Sequence, residues 1–185
     1  MNNNAIFASM NELELVQRAK SRNDVSAFPT LVRKHQGGLR TFMFRLCKDY
    51  TLADDLAQET MLQAHKKLES FRGDCKFSTW LFSIGYRCFL QHKRKAERDQ
   101  TKHDMLSLEL QINPGCYDAI SASQLDLERA MLQLSEKERA AISLCFSYGC
   151  SHSEASDVLQ IPLGTVKTTI ASGKNKLKEL LGATK

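Results

Sequence analysis

The sequence predicts an all-α protein made of two small helical domains joined by a linker, with a helix-turn-helix as the second domain. Apolar residues recur at i, i+3, i+4 and i+7 along most of the chain, and no segment alternates with the period of two that is typical of β-strands. Asn113-Pro114-Gly115 is a turn signal inside a weakly periodic stretch. We therefore expect domains at 1–98 and 125–185, with a linker at 99–124.

The charge distribution agrees with this division. The chain has 185 residues, 42% of them hydrophobic, and this content excludes global disorder. Its net charge is only +5, but the five acidic residues between Asp104 and Glu128 are accompanied by no Lys or Arg. Basic clusters lie on either side, at 87–98 and 167–178. This pattern predicts two nucleic-acid contacts joined by an acidic connector.

Several function classes find no support in the sequence. No apolar run is long enough to span a membrane and no signal peptide is evident, so we expect a cytoplasmic protein. The six cysteines form no CxxC pair and are expected to be reduced. Cys145, Cys150 and His152 suggest a metal site, but buried apolar thiols explain the two cysteines better. No catalytic motif is present, and we expect neither an enzyme nor a cofactor.

Five helices are predicted in the first half. Asn11 and Glu14 resemble a capping pair, and a second helix starts at Asp24 or later because of Pro29. Gly37-Gly38 is expected to separate it from a third helix. Thr51 is the expected cap of the fourth, which is broken at Gly73 and carries one apolar stripe. The stripe consists of Ala53, Leu56, Ala57, Thr60, Met61, Ala64 and Leu68. The fifth helix is expected from Ser78 or Thr79 to about Arg98.

The sequence of the second half of the chain predicts a helix-turn-helix. A helix from about Leu125 is followed by two capping boxes, Ser135 with Glu138 and Ser151 with Glu154. The helix after the first box is expected to end at Gly149. A turn over 161–164 then precedes a basic helix over 165–181. The residues that this helix should present to a DNA major groove are Gly164, Thr165, Lys167, Thr168, Ala171, Ser172 and Lys174.

Two further sets of residues are candidates for binding. A carboxylate and amide face lies opposite the apolar stripe, and taken alone it is an ordinary solvated surface. The segment from Phe71 to Trp80 combines aromatic and basic residues, which suits capture of an unstacked base, although Phe71 and Trp80 are equally consistent with core packing. The second set consists of residues of this segment and of one face of the fifth helix, which follows it. Its candidates for DNA binding are Phe71, Arg72, Lys76, Trp80, Ser83, Arg87, Gln91 and Arg94.

Both halves resemble one family. Asp-Asp-Leu-x-Gln-Glu-Thr-x-Leu-x-Ala at 54–64 is similar to the segment with which bacterial sigma factors grip core RNA polymerase. Pro162-x-Gly164-Thr165-Val166-Lys167 is similar to the start of their recognition helix. The absence of further domains resembles the two-domain extracytoplasmic-function (ECF) class. The chain departs from the family pattern at Arg87, Gln91, Gln160, Thr169 and Ser172.

The resemblance implies a promoter-specificity subunit. Its N-terminal domain would bind the beta and beta-prime subunits of core polymerase and trap the opened minus-ten strand of promoter DNA. Its helix-turn-helix would read the minus-thirty-five element, and the linker would follow the path of nascent RNA. An anti-sigma factor is an expected further partner. The residues to which the resemblance gives the polymerase-binding role are Asp54, Asp55, Gln58, Glu59, Leu62 and Gln63.

Two other classes of protein remain possible from the residues alone. A free-standing helix-turn-helix repressor or activator would bind duplex DNA without polymerase, and would need neither the polar helix face nor the aromatic loop. An RNA-binding or antitermination factor would share only the helical N-terminal domain. Transcription reconstituted with core polymerase separates the three.

Overall fold

All regular elements of the described chain are helical. The computed structural model describes residues 11–21, 26–100 and 122–182. We refer to the first four α-helices as the N-terminal unit and to the last four as the C-terminal unit. The N-terminal unit consists of α1 Glu12–Lys20, α2 Ala27–Cys47, α3 Tyr50–Lys67 and α4 Phe77–Gln100, with a 3-10 turn at Leu68–Ser70. The C-terminal unit consists of α5 Ala122–Gln133, α6 Glu136–Ile142, α7 His152–Leu159 and α8 Leu163–Gly182, with a π-helical segment at Ser143–Ser147. The all-α prediction is confirmed.

Side-chain caps fix where four of these helices begin. Ser135 and Ser151 form the two predicted capping boxes, each with a Glu three residues later. Asn11 caps α1 as predicted. The prediction for α3 is wrong, because Asp49, not Thr51, accepts a hydrogen bond from the backbone of Leu52 and the helix begins at Tyr50.

The second predicted helix does not end at Gly37-Gly38. Helix α2 begins at Ala27 and continues through both glycines to Cys47, so that prediction is wrong. A glycine inside a helix costs only about 1 kcal/mol relative to alanine, which tertiary contacts can outweigh. Here the ring of Tyr148 lies 3.4 Å from where a Cβ on Gly38 would be, and its hydroxyl donates to the Gly38 carbonyl. The start of α2 at Ala27, later than Asp24, is consistent with Pro29, which lies in the first turn of the helix.

The core of the N-terminal unit is formed where α2, α3 and α4 pack together. The predicted stripe of α3 faces this core, with Ala53, Leu56, Ala57, Thr60, Ala64 and Leu68 buried and Met61 half-buried. Gly85 allows α4 to approach closely, because a Cβ there would lie 2.7 Å from Cε of Met43. The large side chains Phe42 and Phe82 stack edge to face in the centre.

The C-terminal unit contains the predicted helix-turn-helix, formed by α7 and α8. Gln160 ends α7 in the left-handed conformation, with φ at 55°. This geometry favours glycine, so Gln160 departs from the family pattern at a position where a side chain with a Cβ is strained. The helix after Ser135 differs from the prediction, since its α-helical part ends at Ile142 and a π-helical turn continues to Ser147. The turn places Phe146 in solvent and Tyr148 against the N-terminal unit.

The two units are packed against each other. Buried apolar residues of both belong to one continuous core, and a smaller cluster of Met131, Leu134 and Ile142 lies between α5 and α6. Every buried side-chain nitrogen or oxygen of the described residues has a hydrogen-bond partner. Residues 101–121, on which most of the predicted linker and its acidic residues fall, lie outside the described residues.

Candidate functional site

The polar face of α3 is a continuous exposed surface. Asp55, Gln58 and Glu59 are exposed, and the Gln63 amide donates to the Glu59 carboxylate at 2.7 Å. Asp54 accepts two hydrogen bonds from Arg40 of α2, at 2.5 and 2.7 Å. The six candidate residues therefore lie on one side of α3. The face offers acceptors to a basic partner.

An apolar groove lies beside this face, between α2 and α3. Its volume is about 540 Å³, and Phe28, Val32, Met61 and Leu62 line it. Leu62, on the rim of the groove, is 58% exposed and extends the apolar surface. Sequence reasoning did not predict this groove. The i, i+4 spacing of Phe28 and Val32 on α2 is the signal that could have placed them on one face.

The loop before α4 separates its aromatic residues from its charged ones. Phe71 and Phe77 are buried and Trp80 is half-buried, with ring centroids 5.2 to 5.7 Å apart. Lys20 of α1 donates to the Phe71 carbonyl. Arg72 and Lys76 are exposed. The structure thus places the aromatic side chains in the arrangement expected of core packing, and leaves the cations at the surface.

One face of α4 continues from this loop as an exposed polar strip. Arg87, Gln91 and Arg94 are all exposed at helical spacing. Ser83, at the start of the strip, is half-buried and its hydroxyl donates to the Trp80 carbonyl at 2.7 Å. Lys93, Lys95 and Arg98 are also exposed, so the end of α4 is strongly basic. Such a surface suits the backbone of a nucleic acid.

Helix α8 presents all seven of its predicted residues to solvent. Lys167, Thr168 and Ala171 are exposed near its N-terminus, where Gly164 and Thr165 form the first turn. Lys174 is exposed too, with its ammonium group 5.4 Å from the centroid of the Phe146 ring. Val166 and Ile170 are buried on the opposite side and fix the rotation of the helix.

Ser172 is exposed like the other predicted residues of α8, but its hydroxyl bonds to a side chain of another helix. Its hydroxyl donates to the carboxylate of Glu138 at 2.7 Å, and the Lys176 ammonium donates to the same carboxylate at 3.0 Å. Burial would raise the pKa of Glu138, but the bonds from Lys176, Ser172 and Ser135 dominate and lower it to about 2. Sequence reasoning recognised Glu138 only as a capping residue and missed its link to α8.

The cysteines show no sign of reactivity in the described part of the chain. Cys47, Cys75, Cys88, Cys145 and Cys150 are free thiols. Burial raises the pKa values of Cys47 and Cys145 to about 11. Among the residues that the structure describes, no three metal-ligating side chains come together. None of the described helices is long and apolar enough to cross a membrane.

Comparisons with known proteins identify the family. The model of Sigma-70 region 2 matches residues 31–99, and that of Sigma-70 region 4 matches residues 124–177. The RNA polymerase sigma-H factor of Pseudomonas aeruginosa is 30% identical, over 91% of this chain and 92% of its own length. The chain belongs to the sigma-70 family of RNA polymerase sigma factors. The ECF sigma factor SigW of Bacillus subtilis is 28% identical, over 92% of this chain and 98% of its own length.

Solved sigma-factor structures share the arrangement of helices. The sigma factor RpoE in complex with the anti-sigma factor NepR, from Bartonella quintana, is 28% identical and has a TM-score of 0.74. The match covers 87% of this chain and all of that one. CnrH in complex with the cytosolic domain of CnrY is 26% identical with a TM-score of 0.63, covering 94% and 99%.

Membership in this family joins the exposed surfaces into one function. The region 2 match contains the polar face of α3, the loop and the polar strip of α4, and the region 4 match contains the exposed face of α8. A sigma factor directs RNA polymerase to promoters, so the chain is a DNA-binding regulator of transcription initiation.

Proposed function

We propose that promoter-directed initiation is divided among three surfaces of this chain. The polar face of α3 binds core polymerase, the loop with the polar strip of α4 holds the opened minus-ten strand, and α8 reads the minus-thirty-five element. The observation that carries this assignment is the exposure of three separate surfaces, an acceptor-rich face on α3 and two surfaces with exposed cations on α4 and α8. The family matches end at residue 99 and resume at 124, which supports domains at 1–98 and 125–185.

The polymerase contact combines acceptors with an apolar anchor. Asp55, Gln58 and Glu59 can pair with basic groups of the beta-prime subunit, and charges of opposite sign give fast and oriented association. The groove beside them can take an apolar side chain of the partner, and Leu62 projects at its rim. Burial of apolar surface supplies affinity that exposed ion pairs alone do not.

The minus-ten contact depends on the exposed cations and on the loop backbone. Arg72 and Lys76 can neutralise phosphates of a single strand, while Arg87, Gln91 and Arg94 extend the surface along α4. Phe71 and Trp80 form part of the aromatic cluster, so stacking on a base would require the loop to rearrange. Their proposed role is to hold the loop in place around the extruded base.

The minus-thirty-five contact uses the N-terminal half of α8. Lys167 and Thr168 lie where a recognition helix reaches base edges, and Ala171 allows close approach to the groove floor. Lys174, further along, is placed to contact phosphate. Ser172 can donate to DNA only by exchanging its bond to Glu138.

Three further expectations follow from the sigma-factor family. The chain performs no catalysis of its own, since phosphodiester chemistry belongs to the core enzyme. It acts in the bacterial cytoplasm, where the polymerase is. The sigma factor of the Bartonella complex is bound to an anti-sigma factor, and an anti-sigma factor is the proposed inhibitor of this chain as well.

Transcription reconstituted from purified core polymerase tests the proposal. The full chain should produce a defined transcript from a cognate promoter, whereas a repressor or an antitermination factor would not start one. Glu59→Arg reverses an exposed charge on α3 and should reduce initiation because it weakens binding to core polymerase. Glu179→Arg reverses an exposed charge on α8 and serves as the matched control. Wild-type core affinity for Glu59→Arg would contradict the role given to α3.

A further inference from the structure

A buried carboxylate lies beside the exposed face of α8. It belongs to Glu138 of α6, a residue that is 5% exposed. Its Oε2 accepts hydrogen bonds from the backbone N–H of Ser135 at 3.0 Å and from the Ser135 hydroxyl at 2.8 Å. Lys176 also donates to Oε2, at 3.0 Å, and its ammonium group lies 2.8 Å from Oε1. These bonds hold the carboxylate in one orientation.

Another partner of this carboxylate lies on the exposed face of α8. The hydroxyl of Ser172 donates to Oε1 of Glu138 at 2.7 Å, while the Ser172 side chain remains exposed. Thr168 precedes Ser172 by four residues, which is one turn along the helix and only about 40° around its axis. Ser172 therefore lies on the same side of α8 as Thr168, one of the residues proposed to reach base edges.

The direction of the bond between Ser172 and Glu138 is determined by charge. An ionised carboxylate has no proton to donate and can only accept. Burial would raise the pKa of Glu138, but its bonds lower the pKa to about 2, so the group is ionised at neutral pH. The single proton of the Ser172 hydroxyl is therefore directed at Glu138 and away from solvent.

A serine hydroxyl that donates its proton in this way can only accept further hydrogen bonds. Its oxygen carries two lone pairs besides the one O–H donor. Donation to a charged acceptor also polarises the hydroxyl, which makes the oxygen a better acceptor. Because Ser172 is exposed, this oxygen is accessible to a partner of α8. Ser172 thus presents an acceptor of fixed polarity, whereas an unconstrained serine can donate or accept.

The four bases differ in what they present to such an acceptor. In the major groove, adenine and cytosine carry amino groups that can donate, at N6 and N4, whereas the hydrogen-bonding groups of guanine and thymine are acceptors. A hydroxyl that can rotate pairs with either kind of group and therefore discriminates little. A hydroxyl that is fixed as an acceptor pairs with the amino groups and is repelled by the acceptors of guanine and thymine.

We propose that Glu138 sets the base preference of Ser172 by keeping its hydroxyl as an acceptor, so that Ser172 selects an adenine or a cytosine in the minus-thirty-five element. The inference rests on the proposed reading of that element by α8. Glu138 is a positioning residue, since it acts on the DNA through Ser172. Its negative charge does not oppose the approach of DNA, because Lys176 neutralises it.

Base analogues test the polarity of this contact in the complex of the full-length chain with core polymerase. Selection of minus-thirty-five sequences by the wild type should enrich adenine or cytosine at one position, and Ser172→Ala should lose that enrichment. Replacing the enriched base by its analogue without the amino group should weaken wild-type binding about threefold to tenfold, the effect of one hydrogen bond. Ser172→Ala should bind the two DNAs equally.

The opposite polarity has its own signature. Where the enriched base is adenine, an analogue with carbon in place of N7 removes an acceptor and keeps the amino group. This analogue should affect the wild type and Ser172→Ala alike. The inference would be overturned if Ser172→Ala were as sensitive as the wild type to loss of the amino group. Enrichment of guanine or thymine through Ser172, or a dependence of the Ser172 contact on N7, would also overturn it, because Ser172 would then be a donor.

A substitution of Glu138 tests whether the carboxylate sets the preference. In Glu138→Gln the carboxamide can donate to the Ser172 oxygen as well as accept from its hydroxyl. Discrimination against the base without the amino group should therefore fall severalfold, to near that of Ser172→Ala. Discrimination is a ratio of two affinities of one variant, so a change in the amount of folded protein cancels. Unchanged discrimination in Glu138→Gln would overturn the role of Glu138.

The other capping box provides the matched control for this substitution. The carboxylate of Glu154 accepts from the backbone of Ser151 at 2.8 Å and from Thr79 at 3.3 Å. Glu154→Gln should therefore discriminate between the two DNAs like the wild type. A loss of discrimination in Glu154→Gln equal to that in Glu138→Gln would show that the effect does not pass through Ser172, and would overturn the inference.

The same selection separates this inference from the proposed function. A wild-type complex that enriched no minus-thirty-five sequence at all would contradict the reading of this element by α8. Enrichment at other positions that is lost in Lys167→Ala, together with no dependence on Ser172, would overturn only the acceptor role of Ser172 and leave the proposed function intact.

Discussion

The two units of this sigma factor are stabilised in different ways. In the N-terminal unit the most deeply buried side chains are large and apolar, with Phe42, Leu31, Leu39, Met43 and Leu81 less than 2% exposed. The C-terminal unit buries a carboxylate, that of Glu138, besides apolar side chains such as Leu144 and Val158, whereas the buried polar residues described in the N-terminal unit include no carboxylate. Apolar burial tolerates changes of pH and small shifts of position, whereas a buried carboxylate is sensitive to both.

This difference suits the work that we propose for each unit. In the proposed assignment the loop of the N-terminal unit holds a DNA strand, and interlocked aromatic rings give that loop a rigid platform. The C-terminal unit must fix the rotation of a single recognition helix on a small core. The hydrogen bonds from Ser172 and Lys176 to Glu138 add direction to the apolar contacts of Val166 and Ile170.

Removing a central aromatic ring should give the largest effect on folding. Phe42→Ala should destabilise the N-terminal unit by about 3–5 kcal/mol, since it deletes a buried ring that packs on Phe82 and Tyr148. Denaturant unfolding, with hydrogen exchange to report on each unit separately, measures this loss. Phe146→Ala, at a ring that is 60% exposed, should change stability by less than about 0.5 kcal/mol. Equal losses of stability for Phe42→Ala and Phe146→Ala would contradict the view that large buried rings stabilise the N-terminal unit.

Acid should weaken the C-terminal unit through Glu138. Its pKa in the folded chain is about 2, below the ordinary value of 4.5. A lowered carboxyl pKa contributes stability that is fully present above pH 4.5 and is lost as the pH falls towards 2, by up to about 3 kcal/mol. Glu138→Gln removes this titration, so its melting temperature should approach that of the wild type as the pH falls.

The other capping box provides the control for this titration. Glu154 occupies the same position in its box, and the backbone bond from Ser151 lowers its pKa, but it is less buried than Glu138. Glu154→Gln should therefore show a smaller pH-dependent difference from the wild type. A constant difference for Glu138→Gln between pH 2 and pH 7 would show that the carboxylate charge contributes nothing to stability.

A glycine at the α6–α8 contact should show how tightly the C-terminal unit is packed. A Cβ on Gly173 would lie 2.6 Å from Cδ1 of Ile142 and 3.2 Å from Cβ of Glu138. Gly173→Ala should thus cost about 1–3 kcal/mol by forcing the helices apart. Gly164→Ala, in the same helix with open space around it, should be neutral or slightly stabilising in thermal melts. A larger loss of stability for Gly164→Ala than for Gly173→Ala would mean that Ile142 moves aside without cost.

The features that sequence reasoning predicted are those that local rules determine. The stripe of α3, both capping boxes and the helix-turn-helix depend on residues within one or two turns of each other. The continuous α2, the π-helical turn and the bonds of Glu138 and Arg139 depend on partners that are distant in the sequence. Arg45 and Glu128, for example, are 83 positions apart. Periodicity placed the exposed site residues correctly on their faces, but it could not show that Ser172 is held by Glu138.

Substitutions of the exposed cations of α8 should have the smallest effects on folding. Their effects on DNA binding should be of two kinds, one on base discrimination and one on affinity for all sequences. Lys167→Ala should lose about 1–3 kcal/mol on the cognate minus-thirty-five element and less on altered elements, if the lysine reads a base edge. Lys174→Ala should weaken binding to all sequences alike and reduce the slope of log affinity against log salt by about 0.9, the value for one phosphate. Titrations of full-length chain with duplex variants at several salt concentrations measure both quantities. If Lys167→Ala left discrimination among the variants unchanged and altered only the slope, Lys167 would be a phosphate contact and base reading would fall to Thr168 and Ala171.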